Sequence, residues 1–391
     1  MPSEPSLATD GGAAGAPPAQ RRAFAWRMNA ALFAITVASV FGTQFHLEAP
    51  AVGAHAALLF AGQFTAALLA ILLAHEFGHY TAARIHKVEA SLPFFIPMPF
   101  VSPFGTMGAV IRMRSVIPTR RALLDIGAAG PLAGLALAIP LYAWGVSRSH
   151  PVPLDTIGDS MELGDSLLSR LLDRCFAPPV PDGAELMFSP VALAAWVGMF
   201  ITMLNLLPVG QLDGGHVAFA LFGPRQNRIG QWAHRSMLAF FFVSVFGFVS
   251  RDVQAGLGFW HVGRAVNRSI FWLVTFELLA VLGGLSPQTR SRDADERPPL
   301  DGRTRLFATI WLALLAGIYQ ESSSPLIWVA WFAGLGLLLA MELRSGVLRD
   351  SSTLLDHPPT GAQPLSRGRA IVAGVTLAFF PALFMPTPIS I

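Results

Sequence analysis

Long uncharged apolar runs, separated by short stretches that carry arginine, recur along the chain. They predict nine membrane-crossing helices at about residues 28–47, 57–83, 122–146, 188–207, 233–250, 267–286, 306–320, 325–342 and 370–387, because a helix needs about 20 apolar residues to cross the hydrocarbon core. The fifth and seventh runs are short and would suit tilted or re-entrant segments. Residues 1–27 open on an Ala-, Gly-, Pro- and Ser-rich stretch with no apolar period, which predicts a disordered cytoplasmic tail. Residues 28–250 are then expected to form a membrane-embedded core and 251–391 additional transmembrane helices. The predicted fold is an all-α polytopic membrane protein, with one interruption. Between residues 92 and 116, Pro93, Pro97, Pro99 and Pro103 forbid a regular helix. Gly105 and Gly108 mark a turn, and from Ala109 to Val116 apolar and basic residues partly alternate. This pattern predicts a small membrane-associated β-hairpin beside the second span, or an ordinary amphipathic loop.

Composition sharpens the class. Of 391 residues, 53% are hydrophobic and 13% charged, and mean hydropathy is +0.53; soluble domains carry about a quarter charged residues. A soluble enzyme, a nucleic-acid binder and a disordered regulator are excluded. The single Cys175 excludes an internal disulfide, a cysteine zinc cage and an iron–sulfur site. All 27 basic residues except Lys87 are arginine, and their placement sets orientation. With the N-terminus in the cytoplasm and alternating spans, 21 lie on the cytoplasmic side and 6 on the other: Arg148, Arg170, Arg174, Arg251, Arg264 and Arg268. The 251–268 segment fits least well. The longest outer loop, about 148–187, reads as acidic and helix-poor, and is too short for an independent domain. A multi-pass protein of the bacterial inner membrane is expected, with an organellar membrane left open.

Chemistry enters with His75-Glu76-Phe77-Gly78-His79, inside the second apolar run. On a helix His75 and His79 lie one turn apart on one face, so both imidazoles can reach one ion, and Glu76 beside them suits a general base. Each ionisable group at mid-bilayer costs about 2–3 kcal/mol or more unless paired, neutral or metal-bound. A polar cluster at the helix end is the alternative, since Arg84 follows five residues on.

Two histidines leave a zinc site incomplete. Asp213 is the candidate third ligand, within Asn205-Leu-Leu-Pro208-Val-Gly210-Gln211-Leu212-Asp213-Gly214-Gly215-His216 at the cytoplasmic end of the fourth run. Pro208, Gly210, Gly214 and Gly215 are expected to break the helix, which at membrane depth requires burial in protein or a watery cavity. Asn205 carries an amide donor for substrate backbone or a developing oxyanion, or for a neighbouring helix. For His216 a supporting role is expected rather than ligation.

Together, HEFGH on one span and NLLPVGQLDGG on a later one resemble the site-2 protease family of intramembrane zinc metalloproteases, over about residues 57–220. The resemblance implies that His75, His79 and Asp213 bind one Zn2+ per chain and that Glu76 is the general base. It also implies a substrate-binding stretch at Gly105, Thr106, Met107, Gly108 and Ala109, beside the active site, where an extended substrate would add as a strand. The likeness is to the branch without PDZ or CBS domains, which includes chloroplast members and bacterial relatives. Family members often carry Asn where this chain has Gly134, so an oxyanion role shifts toward Asn205 or the backbone. Glu277, inside the sixth span but outside the matched region, suits an interhelical hydrogen bond.

The expected function is regulated intramembrane proteolysis: cleavage of a transmembrane helix of a membrane protein near the cytoplasmic face. The partners are that substrate and the lipid bilayer, with no nucleic acid. The alternative is a non-proteolytic membrane protein, a metal transporter or a scaffold for transmembrane segments. A transporter should show polar breaks along a pathway and often repeat symmetry, whereas here they cluster near one face.

Overall fold

The fold is taken from a computed structural model, which describes residues 18–100, 102–111, 113, 117–154, 162–256, 262–285, 333, 337, 360, 361 and 363–390. Among these are nine helices: α1 (Pro18–Val52), α2 (Ala54–Ile85), α3 (Arg120–Val146), α4 (Leu167–Phe176), α5 (Pro190–Asn205), α6 (Asp213–Phe222), α7 (Arg225–Gln254), α8 (Val262–Leu285) and α9 (Arg367–Leu383). Among the described residues, four helical stretches are long and apolar enough to cross a membrane: Trp26–Val52, Ala54–Ile85, Arg120–Val146 and Arg225–Gln254. The predicted seventh and eighth spans lie almost wholly outside the described residues. Helix α1 starts at Pro18, so it takes in the last ten residues of the segment expected to be a tail.

The centre of the bundle is α2, α3 and α5. Phe64, Leu68 and Ile71 of α2, Leu135 and Tyr142 of α3, and Trp196 and Met199 of α5 are buried in one cluster. Such a core positions helices by shape, since lipid tails are as apolar as leucine and packing must supply the specificity. The α3–α5 connection is fixed by hydrogen bonds. Ser189 caps α5 by accepting from Ala192 N at 3.2 Å, and its hydroxyl donates to the Gly145 carbonyl at 2.7 Å.

Within the 92–116 segment the described residues do form a hairpin. Strand β1 (Phe94–Pro97) pairs antiparallel with β2 (Thr106–Val110), with Phe94 opposite Val110 and Pro97 opposite Thr106. The second strand starts earlier than its alternation suggested, because Gly105, at φ 73°, makes the turn into it. Beyond Val110, among the described residues, the pairing continues as an isolated bridge between Ala90 and Met113. The hairpin is irregular backbone, and side chains of α1 donate to four of its carbonyls. Asn29 Nδ2 donates to the Leu92 and Pro93 carbonyls at 3.0 and 2.7 Å. Ser39 Oγ donates to Gly105 O at 2.6 Å, and Gln44 Nε2 to Pro103 O at 2.8 Å. A Cβ on Gly105 would lie 2.6 Å from Val40 Cα, so the turn can sit this close to α1 only as glycine.

The outer loop departs from its expectation. It contains α4, capped reciprocally by Ser166 and Ser169, and strands β3 (His150–Pro153) and β5 (Ala184–Met187) that pair antiparallel. Strand β4 (Glu162–Leu163) pairs with β6 (Ile389–Ser390), which follows α9. Helix α9 therefore leads from Asp125 of α3, bonded to its first turn, to the outer loop. Two of the three misfit arginines, Arg251 of α7 and Arg268 of α8, share a partner: their guanidinium groups lie 5.0 and 5.7 Å from the centre of the Phe248 ring.

Candidate metal centre

His75 and His79 sit on the buried face of α2, at 4% and 7% exposure, with Glu76 at 5% beside them. Asp213 arrives from the far side of the bundle. Helix α5 ends at Asn205, a loop through Pro208 and Gly210 turns the chain, and α6 starts at Asp213 itself. A carboxylate in the first turn is favoured by the unpaired N–H groups there. The glycines after it were expected to break the helix, but they lie within the first turn of α6. They serve close approach instead: a Cβ on Gly214 would meet the Leu206 carbonyl, and one on Gly215 the Gly210 carbonyl. The α6 start is thus folded tightly back on the loop. Gln226 of α7 secures that loop, its Nε2 donating to Pro208 O at 3.1 Å.

Three donor atoms converge. Asp213 Oδ2 lies 3.1 Å from His75 Nε2 and 3.2 Å from His79 Nε2, and the two Nε2 atoms are 3.2 Å apart. Among the described residues this is the one group of three or more His, Cys, Asp or Glu side chains close enough to share an ion. Zinc bonds to nitrogen and oxygen measure about 2.0–2.2 Å, which in tetrahedral geometry puts neighbouring ligands roughly 3.3–3.5 Å apart. The observed triangle is close to that size, and two imidazoles with one carboxylate are a familiar donor set for zinc. The residues present fit the metal.

Support around the donors fits as well. His79 Nδ1 lies 2.7 Å from the Ile126 carbonyl of α3. Only a donor can make that bond, so Nδ1 carries a proton, and Nε2 is the ring atom turned toward the other two ligands. Helix α3 also supplies the room. A Cβ on Gly130 would collide with the His79 ring, and one on Gly134 would lie 3.2 Å from His75 Nδ1. Gly134 is thus shaped to the first histidine, and a larger residue there would press on its ring.

The remaining predicted residues are placed as follows. Asn205 Nδ2 is 3.4 Å from His75 Nε2, so its amide stands at the edge of the donor triangle. His216 is one turn beyond Asp213 and packs against Gly127, where an added Cβ would lie 2.9 Å from its own. It is not among the converging donors. The stretch from Gly105 to Ala109 lies on the hairpin. Thr106 is buried, its hydroxyl donating to Ile96 O at 2.9 Å, and Met107 is exposed. A Cβ on Gly108 would come 4.0 Å from Ile201 of α5, one turn before Asn205. The described part of α8 includes the backbone of Glu277 but not its side chain. Sequence reasoning missed the Ile126 carbonyl, which has no local signature.

Comparison with known proteins agrees with this geometry. Residues 63–244 match the profile of Peptidase family M50. The Arabidopsis thaliana protein named probable zinc metalloprotease EGY1, chloroplastic, is 38% identical over 162 residues, which are 40% of this chain and 29% of that protein. Its Oryza sativa subsp. japonica counterpart is 36% identical over 160 residues, 40% of this chain and 27% of its own. The Arabidopsis thaliana probable zinc metalloprotease EGY2, chloroplastic, is 29% identical over 197 residues, 48% and 35% of the two chains. The chain thus spans about a third or less of the length of these relatives. No solved structure matches it. With the motifs, the donor triangle and the matching profile in one segment, the chain belongs through residues 63–244 to peptidase family M50, the site-2 protease family, and is related to the chloroplast EGY zinc metalloproteases.

Proposed function

We propose that this chain is an intramembrane zinc metalloendopeptidase that cuts a transmembrane helix of a membrane protein near the cytoplasmic face. One observation carries the reading: His75, His79 and Asp213 converge on one point inside a bundle of apolar helices with Glu76 beside them. His75, His79 and Asp213 would hold one zinc ion. When bound, zinc is a Lewis acid that polarises a carbonyl and makes water acidic. Glu76 then takes the proton of the attacking water and delivers it to the leaving amine. The Asn205 amide donates to the carbonyl oxygen under attack, from the edge of the donor triangle. The Ile126 carbonyl holds the His79 ring in one tautomer throughout.

A helical substrate hides its peptide bonds, so it must be extended before attack. Among the described residues β2 has β1 as its one strand partner, and strand addition along the Gly105 to Ala109 stretch, on its other side, would hold the segment open. The test is Glu76→Gln with a reconstituted single-span substrate. Zinc content should stay at the wild-type level while cleavage falls by about 100-fold or more. Undiminished cleavage by that variant would remove Glu76 from the reaction.

A further inference from the structure

The last described helix lies far outside the matched segment, yet its first turn reaches the metal centre's scaffold. Arg369 Nε donates to Asp125 Oδ1 at 3.2 Å and its Nη2 to Asp125 Oδ2 at 3.0 Å. His86, which ends α2, makes a third bond to the same carboxylate, its Nε2 2.8 Å from Asp125 Oδ2. A forked guanidinium on a carboxylate fixes direction as well as distance.

Asp125 directly precedes Ile126, whose carbonyl orients His79. His86 follows His79 by seven residues, two turns along the same side of α2. Helices α2 and α3 are therefore joined by two rungs, His79 to Ile126 and His86 to Asp125. Arg369 ties the second rung down from α9. The same helix also backs the other ligand. Ala373 is buried with Leu123, Leu124 and Ala128 of α3 and Val217, Phe219 and Ala220 of α6, and α6 begins at Asp213.

We propose that Arg369 is a positioning residue for the metal centre: through Asp125 it sets the register of α3 against α2 at which the Ile126 carbonyl aims His79 at the metal. The helix that carries it is then part of the metal-binding unit. This rests on the zinc reading above.

The test uses the full chain purified in detergent and loaded with zinc or cobalt. It compares wild type, Arg369→Ala, Arg369→Lys, Asp125→Asn and, as control, Arg367→Ala, an exposed residue of the same turn. Arg369→Ala and Asp125→Asn should release zinc to a chelator about 10-fold faster or more, with shifted visible bands of the cobalt form. Arg369→Lys keeps the charge without the fork and should fall between, which also covers a poorly folding alanine variant. Arg367→Ala should match wild type. If Arg369→Ala and Arg369→Lys keep the wild-type release rate and cobalt spectrum, even with a lowered melting temperature, Arg369 is merely structural and the proposal is wrong. A wild-type chain that takes up neither metal would instead overturn the zinc reading, and this proposal with it.

Discussion

At the scale of the residue, the site depends on atoms that are absent as much as on those present. Gly130 and Gly134 leave α3 bare where the two imidazoles lie. Gly130→Ala should push the His79 ring off its bond to Ile126 and weaken zinc binding by at least about 10-fold, measured by competition with a chromophoric chelator. The two motifs made His75, Glu76, His79 and Asp213 legible in the sequence, because metal chemistry restricts residue type and helix geometry restricts spacing. The supporting atoms were not legible. A backbone carbonyl has no sequence signature, and Ile126 can be found only once the register of α3 on α2 is known. The Arg369–Asp125 pair joins positions 244 residues apart for the same reason. The Gly214-Gly215 pair was legible as important and misread in kind: it allows close approach rather than a break.

At the scale of the element, α1 and the hairpin form a pair. Four proline residues and two glycines identified the hairpin, since they exclude a helix. What covers it could not be read, because Asn29, Ser39 and Gln44 look like ordinary polar residues in an apolar run. In place they satisfy carbonyls that lipid could not. Asn29→Ala leaves two of those carbonyls without this donor and should destabilise the chain by about 1 kcal/mol. Limited proteolysis should then cut faster between Pro97 and Gly105, and an unchanged rate would show that α1 does not hold the hairpin. Helix α4 was missed although its leucines, at 167, 168, 171 and 172, repeat with helical spacing. The acidic residues around them hid the pattern.

At the scale of the molecule, the arrangement of spans has a built-in reporter. Cys175 is the one cysteine, it is exposed, and it lies on α4 in the outer loop. In sealed vesicles with the outer loop facing out, a membrane-impermeant maleimide should label it. In inverted vesicles labelling should be lost, and the reverse result would contradict the arginine-based orientation. The central claim concerns the whole chain's metal content and needs no knowledge of the substrate. Zinc should be measured by elemental analysis in detergent-purified wild type, His79→Ala and Asp213→Ala. The account predicts about one zinc per wild-type chain and its loss from both variants. A wild type that stays free of zinc after reconstitution, or variants that keep it, would contradict it.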